Sequence, residues 1–245
     1  MKYFLPLLVL VSCVTGCATH NTMREPMTLS RSGLINDPAQ VSELEKALTD
    51  KDIAGMLDAA VRAKLPTALA VAGIHGGGYR YCDLKTISAE ELGQWESLVR
   101  NIGGITGVQP VSALALGDGK ATLHGFRAAA AKMNCELLLV YLESDECVSN
   151  YNDLAALYWT FVGLWLAPGN DYEHRTVIQA IVVDTRTGSI LGTATGDCHA
   201  KRTAPVAFRE VQQNKLRQEV PQKATADLRK ACAKVLASIA ESAGK

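Results

Sequence analysis

Six consecutive apolar residues, Leu137-Leu138-Leu139-Val140-Tyr141-Leu142, constrain this chain more than any other feature. A strand with one face in water alternates apolar and polar side chains. A strand with no polar position has protein on both faces, as in the middle of a parallel sheet. The neighbouring segments supply such a setting. Thr67 to Ile74 is an apolar run of strand length ending in glycines 76–78, and Val108 to Leu114 is a second strand. Ser88 caps a helix running to about Asn101. Thr122 to Met133 is alanine-rich and helical, with Asn134 as a left-handed stop. Thr176 to Val183 and Ser189 to Thr195 flank Asp184-Thr185-Arg186-Thr187-Gly188, whose aspartate and glycine suit a hairpin turn. From Pro221 to about Ser242, Ala224, Leu228, Cys232, Val235, Leu236 and Ile239 form one helical stripe. Asp37-Pro38 and Asp50 open two earlier helices, which Pro66 ends. The order β-α-β-α-β-β-β-α predicts an α/β three-layer sandwich. Its mixed sheet has parallel strands closed by an antiparallel hairpin and is flanked by helices, with strand order 2-1-3-4-5. Neither an internal repeat nor a second domain is visible.

Composition narrows the function classes. The 245 residues are 48% apolar and 20% charged, with 25 basic and 25 acidic side chains. This excludes a disordered chain, a collagen and a basic nucleic-acid-binding domain. The only long continuous apolar stretch outside the interior runs from Tyr3 to Val14 behind Lys2, too short to span a bilayer. It ends in Val14-Thr15-Gly16-Cys17, which resembles the lipobox of bacterial lipoproteins. That resemblance implies export, cleavage before Cys17, and a diacylglycerol and palmitate anchor on the Cys17 sulfur and amine. It divides the chain into a signal peptide (1–16), a lipidated flexible tether (17–36) and one α/β domain (37–245) with an apolar insertion at 153–168. Ala18 after the lipid site, where aspartate would signal inner-membrane retention, implies an outer-membrane lipoprotein facing the periplasm.

Two further stretches carry a family likeness. Tyr158-Trp159-Thr160, Val162-Gly163 and Pro168-Gly169 resemble the rhombotarget lipoproteins of Gram-negative bacteria. Val183-Asp184-Thr185-Arg186-Thr187-Gly188 resembles the periplasmic α/β domain of curli-transport (CsgG-like) and TolB N-terminal-type lipoproteins. The likeness implies a subunit or assembly role and no catalytic residues. Rhombotarget proteins carry a processed apolar tail; the sequence given ends Ala243-Gly244-Lys245, so that step is not carried over.

No set of residues makes a complete catalytic or metal motif. His75-Gly76-Gly77-Gly78 resembles an esterase oxyanion loop, but no serine sits on a Gly-x-Ser-x-Gly elbow. It reads as a strand ending in a flexible loop, or as an anion nest. Gly117-Asp118-Gly119-Lys120 lacks phosphate-loop spacing. Cys198-His199 offers two metal ligands where about four are needed. Glu143, Asp145 and Glu146 lie beyond the central strand, either as a solvated loop or as acid and base. The expectation is a non-catalytic accessory or assembly component of the envelope, without cofactor, metal or nucleic acid. Its partners are the membrane, through the lipid, and a second copy or an envelope protein. The alternative is a hydrolase or small-ligand module using residues 75–78 and 143–147.

Cysteines and tryptophans complete the candidates. Cys82, Cys147 and Cys198 each follow an expected strand, so an oxidising periplasm favours a Cys82–Cys147 disulfide, with Cys147–Cys198 as second choice. Cys135 and Cys232 sit on apolar faces as buried thiols. Tyr158, Trp159, Phe161 and Trp165 belong to an apolar segment that is either packed under the domain or a contact element for membrane or subunit.

Overall fold

The computed structural model describes residues 22–29, 32, 63–77, 81–116 and 121–243, with main chain alone at 77, 81–83 and 243. The helices expected from Asp37 and Asp50, the Gly117–Lys120 turn and Cys17 lie outside the described residues. The described chain forms two compact units: residues 26–145, 176–197 and 223–243 in the larger, and 22–25, 146–175 and 198–222 in the smaller.

The elements are β1 (Thr67–Gly77), β2 (Tyr81–Lys85), α1 (Ala89–Val99), β3 (Ile105–Pro110), α2 (Ala113–Leu116), α3 (Leu123–Lys132) and β4 (Leu137–Tyr151). A 3-10 turn (Asp153–Trp159), α4 (Phe161–Leu166), β5 (Asn170–Asp184), β6 (Ile190–Ala204), a second 3-10 turn (Val206–Phe208) and α5 (Arg209–Ala243) complete them. The mixed sheet runs β2-β1-β4-β5-β6, with β3 also on β1. β1 divides one edge between two partners. β3 runs parallel to Thr67–Val71, and β2 runs antiparallel to Gly73–Gly77. The other edge of β1 is parallel to β4, from Leu69↔Leu137 to His75↔Glu143. Leaving out the short β2, this is the order that the sequence predicts.

Residues 137–142 of β4 are buried at every position, as continuous apolarity requires, and burial continues through Glu143 and Ser144. In the larger unit one face of β1, β4 and β5 places Ala70, Ala72, Ile74, Leu138, Val140 and Leu142 in a cluster with Phe126, Ala129 and Ala130 of α3. The opposite face carries Tyr141 against Trp95 of α1, ring centroids 5.9 Å apart. There α5 lies so close to β6 that a Cβ on Gly196 would stand 2.1 Å from the Ala224 carbonyl oxygen. Helices on both faces make three layers.

Several segments extend beyond their expected limits. His75-Gly76-Gly77 is the end of β1 rather than a loop, because β2 turns back to pair Gly76 with Cys82. β4 continues to Tyr151, so Glu143, Asp145 and Glu146 are strand residues. α5 begins at Arg209, with Pro221 inside it rather than at its start; only one i→i−4 donor is lost there. Part of the expected tether is built into the fold. Met27 N–H donates to Ser144 Oγ (3.1 Å), Leu29 N–H to Gln179 Oε1 (3.0 Å), and Leu29 joins the core cluster.

The Asp184–Gly188 turn has the expected form, with Gly188 at φ +79° and Asn134 left-handed at φ +58°. Asp184 is fully buried and accepts from the backbone N–H groups of Ala63, Arg186 and Thr187. Arg127 of α3 donates to the carbonyls of Thr185 and Arg186, and Arg186 pairs with Glu136. The hairpin motif is thus a structural clamp. Asp184→Ala strips an acceptor from three amides and is expected to lower unfolding free energy by about 2–3 kcal/mol in urea titration, with an unchanged m-value.

Candidate functional site

Two places hold the residues that the sequence singles out, one in each unit. In the larger unit, β1, β2, β4 and α1 bring together His75, Lys85, Glu91, Tyr141 and Glu143. Lys85 Nζ lies 2.9 Å from Glu143 Oε2 and 3.3 Å from Glu91 Oε2. Tyr141 donates its hydroxyl proton to Glu91 Oε1 at 2.7 Å. His75 Nδ1 is 4.0 Å from Glu143 Oε2, with its side chain half exposed. Arg229 of α5 lies over the Trp95 ring, 5.7 Å from its centroid.

Lys85, Glu91, Glu143 and Tyr141 form one connected ion and hydrogen-bond network. Burial alone would lower the Lys85 pKa, but the hydrogen bond and charge of Glu143, reinforced by Glu91, outweigh it and raise the ammonium above its usual range. Burial pushes the Tyr141 phenol far up, and its hydrogen bond to Glu91 adds to the shift. A general base needs a carboxylate free to take a proton; Glu143 and Glu91 are both held as counterions of one lysine. The expected carboxylates do not converge either. Glu143 and Asp145 share one side of β4 and Glu146 takes the other. Asp145 accepts from the Thr176 hydroxyl, and Glu146 from the Arg24 backbone. His75 and Gly76 are strand residues paired with β2, and His75 pairs with β4 as well, while Gly78 lies outside the described residues. Lys85, Glu91 and Tyr141 were not legible as a cluster because each lies on a different element.

Cys135, Cys147, Cys198 and Cys232 are free thiols among the described residues. Cys147 is exposed and Cys198 half-buried. They sit on β4 and β6 with β5 between, roughly 10 Å apart by strand spacing, beyond the about 7 Å a disulfide spans. Cys82 is on β2, which pairs with β1 on the side away from β4; its side chain lies outside the described residues. Cys135 and Cys232 are buried as expected, and burial pushes the Cys232 thiol up to about 12. Among the described residues no three His, Cys, Asp or Glu side chains group as metal ligands.

In the smaller unit the apolar insertion folds as a 3-10 turn followed by α4. Asn152 closes its base. Its backbone N–H donates to the Gly169 carbonyl (2.9 Å), its Nδ2 to the Pro168 carbonyl (2.9 Å), and its Oδ1 accepts from Leu154 N–H (3.0 Å). Thr160 caps α4 through Gly163 N–H (2.9 Å), and Asn170 Nδ2 donates to the Tyr158 hydroxyl (2.7 Å). A Cβ on Gly163 would meet the Leu157 carbonyl oxygen at 1.9 Å, so the turn is tight.

This closed loop carries its apolar side chains outward. Trp159 is 87% exposed, Phe161 78% and Leu166 73%, with Leu157, Val162 and Trp165 each more than half exposed. Tyr158 alone of the four candidate aromatics is half-buried, edge-on to Tyr151. Phe208, beside α4 in the second 3-10 turn, extends the surface. From Leu154 to Gly169 there is no charged residue. Among the described residues no helix is long and apolar enough to cross a membrane.

No protein-family model matches the sequence, and no curated protein does. Solved structures with similarity include the PelC dodecamer from Paraburkholderia phytofirmans, at 17% identity over 73% of this chain and 94% of that one, TM-score 0.35. The LpoB C-terminal domain from Salmonella enterica is similar at 15% identity, 59% and 90% coverage and TM-score 0.30. Lipoprotein GNA1162 from Neisseria meningitidis is similar at 13% identity, 62% and 97% coverage and TM-score 0.36. At such scores these likenesses establish neither a shared role nor a shared partner.

The ion network makes a pH-resolved prediction. Because the folded-state pKa of Lys85 is raised, its stabilisation is complete below the ordinary value of 10.5 and is lost as pH rises through the folded value. Lys85→Met leaves two largely buried carboxylates unpaired and is expected to cost about 2–3 kcal/mol near neutral pH. The gap from the parent should shrink in strong alkali, as the Lys85 ammonium loses its proton. Chemical denaturation across pH measures it.

Proposed function

We propose that this chain is a lipid-anchored, periplasm-facing lipoprotein of the outer membrane. On this reading it acts without catalysis, as an accessory or assembly component of the cell envelope. The carrying observation is the prefolded apolar surface of the smaller unit. Leaving a Leu- or Phe-sized side chain in water forgoes roughly 1.5–3 kcal/mol of burial. A loop that orders several of them outward, by capping and by a closed base, is organised to be covered. The lipobox at Val14–Cys17 supplies the anchor in this reading, with Ala18 favouring the outer membrane. The partners are then the membrane, through the lipid, and a second copy or an envelope protein. The polar candidates speak against the hydrolase alternative: Glu143 is engaged by Lys85, and His75 to Gly77 are paired strand.

Intact-mass analysis of protein extracted from membranes with detergent tests this reading. The expected product begins at Cys17 and carries the mass of a diacylglyceryl group with or without a further acyl chain, while Cys17→Ala carries none. An extracted chain of unmodified mass would overturn it. Hydrolytic turnover lost in Glu143→Gln with the fold intact would overturn the non-catalytic part.

A further inference from the structure

We infer that the apolar surface of the smaller unit, Trp159, Phe161, Val162, Trp165 and Leu166, seats in the headgroup boundary of the bilayer that holds the lipid on Cys17. The inference deepens the proposed function and rests on its lipid anchor. The occupant follows from where the chain leaves the fold. Arg24 N–H donates to the Glu146 carboxylate, which ties the N-terminal segment to the smaller unit. Arg24 is seven residue steps along the chain from Cys17, a reach of at most about 25 Å when fully extended. Along β4 the step from Glu146 to Tyr151, two residues before the turn that opens the apolar segment, is roughly 17 Å. The tether therefore keeps the apolar surface within reach of the bilayer surface in which its lipid is embedded.

The chemistry of the surface fits that occupant. It joins two tryptophans and a phenylalanine to aliphatic side chains, has no charge for sixteen residues and is too short to span. Indole rings favour the boundary between headgroups and acyl chains. α4 has six residues, all of them apolar, about 9 Å of helix, enough to enter that boundary without crossing the hydrocarbon. Bound there, the aromatic surface and the lipid give two attachments. Together these orient the protein, whereas a lipid alone leaves it to rotate on its tether.

Tryptophan fluorescence of the lipidated full chain tests this, reconstituted in vesicles of phosphatidylethanolamine and phosphatidylglycerol doped with brominated phosphatidylcholine. Trp95 is fully buried and serves as an internal reference. Lipid brominated near the headgroup should quench most of the emission lost in the Trp159→Phe/Trp165→Phe double variant, and more strongly than lipid brominated deep in the chain. The residual Trp95 emission should be untouched, with circular dichroism unchanged. Quenching by aqueous acrylamide but not by lipid would overturn the inference by leaving the surface in water. Protection from both quenchers would overturn it in favour of a second copy or a protein partner. The intact mass of the same sample separates these outcomes from failure of the anchor itself, which an unmodified mass would reveal.

Discussion

The fold depends on one strand being buried on both faces. Residues 137–142 offer water no polar side chain on either face, so this part of β4 must lie inside a sheet and under helices on each side. β1 meets the first demand by pairing in parallel along seven residues. α3 covers one face through Phe126, Ala129 and Ala130, while α1 and α5 supply the other. The Asp184–Gly188 turn locks the adjoining hairpin to α3 and to the start of β4 through Arg127 and Glu136. These interactions account for the Asp184–Gly188 motif without assigning it any contact with a partner.

Strand order was legible in the sequence because apolar runs and turn residues mark the centres of elements. Their ends were not. The stretch Glu143–Tyr151 alternates polar and apolar side chains weakly and carries three carboxylates, so it reads as loop, yet backbone pairing extends β4 through it. Gly76 and Gly77 read as flexible, and β2 holds them in a ladder that five short residues hardly announce. Pro221 reads as a helix start because proline is favoured at a first turn. Here the neighbouring turns carry the helix past it.

The candidate sites separated along the same line. Glu143 was visible as a carboxylate beyond the central strand, but its partner Lys85 comes from β2, an element the sequence reading lacks. An ionic residue's role depends on what faces it, and a local pattern does not contain that. The aromatic segment was the reverse case. Its composition allowed a buried or an exposed place, and the hydrogen bonds of Asn152, Thr160 and Asn170 settle the matter by turning Trp159 and Phe161 outward. A polar network thus holds an apolar surface in the open.

That surface is the centre of the functional account, and its coverage in the envelope is directly measurable. Hydroxyl-radical footprinting compares oxidation of Trp159 and Phe161 in isolated native envelopes with that in the detergent-extracted protein stripped of lipid vesicles. The account predicts strong protection of both residues in the envelope, with exposed side chains elsewhere, such as Leu114, oxidised alike in the two samples. Equal oxidation of Trp159 and Phe161 in both would contradict it.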